Sequence, residues 1–157
     1  GWHPYENYKN LYASRADLGG GVLLTEIHEL DLCYWYFGKP KYVSCIGGNY
    51  SNNKLDVEDT THVTLEYFDF SVNVNLCFMQ QHNRRDLCIS GTDGYVEWNA
   101  IGNKYKYINY KNNTEEELSD ADYTNDEMFI SQAKFFLNNL KLSDNVRFLN
   151  IATKVKT

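Results

Sequence analysis

Residues 19–38, GGGVLLTEIHELDLCYWYFG, decide the fold of this chain. Glycine at 19, 20 and 21 lets the backbone turn tightly and approach a neighbour closely. The apolar run behind it has helical spacing. Leu23, Ile27, Leu30, Tyr34 and Phe37 recur on one stripe, which reads as the core side of a helix from about Gly21 to Phe37. Gly38 ends that helix and Pro40 forbids its continuation. The adjacent stripe carries Leu24, His28, Asp31 and Trp35. His28 and Asp31 stand three apart and share a face, so the carboxylate can orient or charge the imidazole. The structural alternative is a half-buried histidine satisfied by a helix neighbour.

Beyond Lys41 the period changes from helical to two. Tyr42 to Gly47 reads as a first strand, and residues 48–56 as a polar loop. His62–Phe68 and Phe70–Met79 alternate around Asp69, the pattern of a tight antiparallel hairpin. Val72, Val74 and Leu76 then share a face, opposite Asn73, Asn75 and Cys77. Leu87–Ser90 and Tyr95–Trp98 flank the turn Gly91–Gly94, and Lys104–Tyr110 is a further strand. Residues 111–123, with Glu115, Glu116 and Glu117 in a row, read as a solvated loop. Thr124 to Glu127 forms a capping box ahead of a helix, and Val146–Val155 reads as a last short one. Tyr8 and Tyr12 mark a short irregular helix near the start. Helix, then strands, then helices is an α+β order: an open, mostly antiparallel sheet with helices on one face. Without a linker or repeat, residues 1–157 read as a single domain.

Composition removes several functions. A formal net charge of −6 and a lone Arg84-Arg85 pair argue against nucleic acid. No apolar run is long enough to span a bilayer, and no signal peptide is visible. Four cysteines without a CxxC pair read as reduced structural thiols in a cytoplasmic protein. His3, His28, His62 and His82 are scattered, so no metal signature is formed. The triple glycine is not a GxGxxG after a strand, and no P-loop or nucleophile elbow occurs. From the residues alone, this is an α+β domain with one candidate acid/base histidine.

Gly19-Gly20-Gly21, Leu23-Leu24, His28, Asp31, Trp35 and Gly38 together resemble the opening of the C-terminal domain of the Gfo/Idh/MocA family of NAD(P)-dependent oxidoreductases. His3-Pro4-Tyr5-Glu6-Asn7-Tyr8 and Ser14-Arg15 resemble the lead-in of bacterial sugar-processing members. Asp56 to Thr60, Gln80 to Arg85 and Thr92-Asp93-Gly94 follow the family's order further on. The resemblance implies one C-terminal substrate-binding and oligomerisation domain, excised from a longer enzyme. It implies hydride transfer on a sugar-type small molecule, with NAD or NADP bound mainly by an N-terminal Rossmann domain absent here. This piece alone is then expected to be inactive and to bind no cofactor. The resemblance places the catalytic histidine at His28. Arg15, Asp31 and Arg85 are the weaker substrate-binding candidates. The bare sheet face is expected to form a homo-oligomer contact. One departure stands out: Leu24 occupies a place where many members carry an aspartate, four residues before the histidine. That favours the alternative of a non-catalytic binding or assembly module retaining the family fold.

Overall fold

The computed structural model describes residues 7–52, 54–120 and 124–140. The lead-in residues His3 to Glu6 and the expected helix at Val146–Val155 lie outside them. The chain divides into two compact units, Gly1–His82 and Asn83–Thr157.

The first unit opens on three 3-10 turns, Tyr8–Asn10, Tyr12–Ser14 and Ala16–Leu18, in place of one irregular helix. The glycine run joins them to two helices, α1 (Val22–Thr25) and α2 (Ile27–Phe37). Each glycine has its own reason. Gly19 caps the third turn in the left-handed region, at φ 75°. A Cβ on Gly20 would stand 2.4 Å from the carbonyl oxygen of Tyr12. Gly21 has φ 106°, and its Cβ would stand 2.4 Å from the Glu58 carboxylate. That carboxylate accepts a 3.0 Å hydrogen bond from the backbone N–H of Leu23. The Glu58 carbonyl accepts one of 3.0 Å from Val22. Glu58 thus satisfies two of the helix's orphan donors.

The expected single helix is broken at Glu26, which leaves the helical region at φ −101°, ψ 27°. The break re-aims the buried stripe. Val22 and Cys33 are buried, with Leu23, Leu30 and Phe37 packed beside them. Ile27 and Tyr34, expected in the core, are 49% and 57% exposed. They line a groove of about 340 Å³ with Leu30, Asp31, Pro40 and Val43, so their stripe lies over the sheet edge without filling it.

Strands β1 (Tyr42–Gly48), β2 (Thr60–Glu66) and β3 (Ser71–Cys77) form an antiparallel sheet in that order. Its inner face buries Val63, Leu65, Val74 and Leu76 against the helices, with Val72 half-buried beside them. This is the period-two alternation of a sheet covered on one side. Tyr67 and Phe70 stack where β2 turns into β3, Phe37 meets both rings edge-on, and the Tyr67 hydroxyl donates to the Gly38 carbonyl at 3.1 Å. Asn73, Asn75 and Cys77 stay exposed on the other face.

The second unit holds β4 (Asp86–Ser90), β5 (Gly94–Asn99), β6 (Lys104–Asn109) and β7 (Thr114–Ser119), an antiparallel meander in chain order. The protein is α+β, with its strands in two antiparallel sheets rather than one. Between β3 and β4 runs the polar stretch Gln80–Arg85, whose residues offer no alternating apolar face to continue a ladder. Strand β7 corrects the reading of residues 111–123 as a loop. Glu115 and Glu117 share a face with Lys106 of β6, whose Nζ lies 2.5 and 3.6 Å from them. An acidic run can therefore serve as an edge strand, where charge blunts further pairing. The capping box forms: Thr124 N–H donates to the Glu127 carboxylate at 3.0 Å and Glu127 N–H to the Thr124 hydroxyl at 3.3 Å. Helix α3 (Asn125–Leu140) follows it. No helix among the described residues is long and apolar enough to cross a membrane.

All four cysteines are free. Only Cys33 is buried, and burial with the nearby charge of Glu29 pushes its thiol up. Cys45, Cys77 and Cys88 are exposed, so the structural role expected of all four belongs to one.

Candidate functional site

His28 lies in the first turn of α2, just past the break at Glu26. Its imidazole is half-exposed, at 52%. Nε2 stands 3.1 Å from a carboxylate oxygen of Glu26 and 3.2 Å from one of Glu29. On an unbroken helix residues two apart point about 200° away from each other. Glu26 reaches the ring only because its own backbone is not helical.

Asp31 does not take this place. No hydrogen bond or ion pair joins it to His28 among the described residues. It shares a stripe with Ile27, Leu30 and Tyr34 and forms part of the groove wall. Leu24, at the departure from the family pattern, is 57% exposed. Arg15 is tied to Asp17 by bonds of 2.9 and 2.5 Å. Arg85 belongs to the second unit and lies over the Trp98 ring, 5.8 Å from its centroid.

Two acidic residues of the stretch Asp56 to Thr60 serve the scaffold. Glu58 caps α1 as described. Asp59 is fully buried and accepts hydrogen bonds from the backbone N–H groups of Tyr50 and Ser51, at 3.1 and 2.9 Å, and from the Thr60 hydroxyl at 3.0 Å. Burial works to raise its pKa, but the bonds from Ser51, Tyr50 and Thr60 outweigh it and hold the carboxyl below its usual range. Glu26 and Glu29 are partners of His28 that the pairing with Asp31 by helical spacing does not indicate. Glu26 is invisible to helical spacing, because only the break brings it round.

Glu26, His28 and Glu29 place ligand atoms within 4.8 Å of one another, close enough to share a divalent ion. A dinucleotide does not fit the described residues. Both sheets are antiparallel, so no parallel strand feeds a glycine-rich turn. The N–H groups of Gly19, Gly20 and Gly21 donate to the backbone carbonyls of Ala16, Arg15 and Ala13, at 3.1, 2.8 and 2.8 Å, rather than forming an open cradle.

The glycine turn, the histidine on the helix behind it and the sheet beneath correspond to a known domain. Residues 1–97 match the family described as the GFO/IDH/MocA C-terminal domain. The chain belongs to that family. The match runs from the 3-10 turns through His28 and the three-stranded sheet into β5. A Klebsiella pneumoniae protein assigned as an oxidoreductase has a similar fold, with a TM-score of 0.53 at 14% identity. That likeness covers 63% of this chain and 35% of the Klebsiella one, so the GFO/IDH/MocA domain seen here spans about a third of that relative. Among curated proteins none matches the chain.

Proposed function

We propose that this GFO/IDH/MocA domain is the substrate-binding and oligomerisation part of a cytoplasmic NAD(P)-dependent oxidoreductase acting on a sugar or sugar derivative. The observation that carries the reading is His28: half-exposed, on the helix behind the glycine turn, with two carboxylates on one ring nitrogen. An imidazole so held can take the proton of a substrate hydroxyl as its carbon is oxidised, or return it in reduction. On this reading a nicotinamide cofactor would supply the hydride chemistry from another part of a longer protein, and His28 would handle the hydroxyl proton. Arg15, in the same unit as His28, is a candidate contact for an anionic group of the substrate. Leu24 supports a second reading, a non-catalytic assembly module, because no carboxylate stands four residues before His28.

The test uses the full-length protein, a panel of sugars and sugar acids, and nicotinamide absorbance. An N-terminal GxGxxG domain and turnover that falls roughly 10²-fold or more in His28→Ala are the expected results. Near-unchanged turnover in that variant removes His28 from the chemistry. A full-length protein without a dinucleotide domain favours the assembly module.

A further inference from the structure

We propose that Glu26 and Glu29 are positioning residues that commit Nε2–H of His28 to themselves, so that the proton exchanged with substrate moves at Nδ1. The inference rests on the reading of His28 as the proton-handling group. Ionised carboxylates only accept hydrogen bonds. Two of them meet at Nε2, at 3.1 and 3.2 Å, so Nε2 carries a hydrogen. A neutral imidazole holds one ring hydrogen, which leaves the lone pair on Nδ1.

The two carboxylates approach from the two sides of His28 along the chain. Glu29 is its helical neighbour. Glu26 stands before α2, with its backbone at φ −101°, ψ 27° and its carboxylate 3.1 Å from Nε2. The ring is thus held by groups that flank the helix break, not by Asp31, whose place is the groove wall. When His28 acts as base, the O–H bond of the substrate hydroxyl breaks as an Nδ1–H bond forms. The ring then bears one positive charge beside two carboxylates, which stabilise it. In the reverse direction the same proton leaves from Nδ1. Each time Nε2–H stays in place, so the ring need not turn over between steps.

The tautomer can be read directly from long-range 1H–15N spectra of the 15N-labelled 157-residue chain, recorded over a series of pH values up to the point where the ring signals stop moving. His28 is assigned by the signal lost in His28→Gln. The expected result is a protonated Nε2 and a bare Nδ1. His62, with Nδ1 2.7 Å from Asn75 Oδ1, supplies the contrasting Nδ1–H signature. In Glu26→Ala/Glu29→Ala the two His28 nitrogens are expected to move toward each other, to the mixture of a free imidazole. Glu26→Gln and Glu29→Gln, which keep an acceptor oxygen, are expected to fall between. An Nδ1–H tautomer or a free-imidazole mixture in the unmodified chain overturns the proposal, whether or not the double variant folds. So does a double variant identical to the parent. Loss of turnover in His28→Ala together with a mixed tautomer would sink the positioning role alone. Unchanged turnover with the expected tautomer would sink the catalytic reading alone.

Discussion

His28 and Asp59 show how a single side chain depends on its backbone surroundings. Helical spacing pairs His28 with Asp31, but the imidazole meets Glu26 and Glu29 instead. Spacing within α2 puts His28 and Asp31 on one side of the helix but does not join them, and Glu26, which stands before α2 with a non-helical backbone, reaches the ring from outside that spacing. Asp59 is a buried charge held by three donors, and its carboxyl is depressed below the ordinary value of 3.8. A depressed carboxyl contributes stability that is present above its unfolded pKa and lost as pH falls through the folded one. The stability of the first unit is therefore expected to fall below roughly pH 4. Asp59→Asn is expected to cost about 1–3 kcal/mol at neutral pH and to flatten that acid limb. Urea unfolding of both proteins across pH 3 to 7 checks it. Equal midpoints at neutral pH would show that Asp59 does not hold the loop.

At the scale of the element, the glycine turn ahead of α1 offers a graded series. Gly19→Ala meets nothing within 4 Å and bears only the left-handed penalty, about 1 kcal/mol. Gly21→Ala adds a clash with the Glu58 carboxylate, which must swing away and release Leu23 N–H. Strain and lost cap together are expected to cost about 2–3 kcal/mol. Gly20→Ala meets three backbone carbonyls, of Tyr12, Ala13 and Arg15, at 2.4 to 2.7 Å. Backbone cannot step aside as a side chain can, so this variant is expected to be the most damaging of the three. Chemical denaturation of the three variants gives the order, and a Gly20→Ala as mild as Gly19→Ala would contradict the packing described. The capping box at Thr124 and the β2–β3 hairpin were legible from local pattern, because their bonds join near neighbours. Strand β7 was not. Its acidic run looks solvated until the register with Lys106 is known.

For the whole molecule, the open face of the three-stranded sheet matters most. Thr64 donates to Asn73 at 2.9 Å and His62 meets Asn75 at 2.7 Å, so the face is polar yet satisfied within itself. Tyr42, Ser44 and Ile46 of β1 extend it by register, and Glu66 is its one acid. A mixed, weakly charged surface of this kind suits a protein contact. The chain is expected to associate through it, as a dimer by symmetry. Light scattering over a range of concentrations, with Asn73→Arg for comparison, reads the outcome. A strict monomer, or a dimer that Asn73→Arg leaves intact, would exclude this face.

The sequence by itself determined the α+β class, the helix behind the glycine turn, the strands of the first sheet and the position of His28. These follow from period, turn chemistry and capping, which act over a few residues. Only the tertiary structure decided three further points. The strands divide into two sheets, Ile27 and Tyr34 border a groove instead of filling the core, and the partners of His28 are Glu26 and Glu29. Each turns on where the backbone departs from regular geometry. For the groove and for His28 that departure is at the start of α2, beside long-range contacts of Glu58 with α1 and of the first sheet with the helices, which no local spacing encodes.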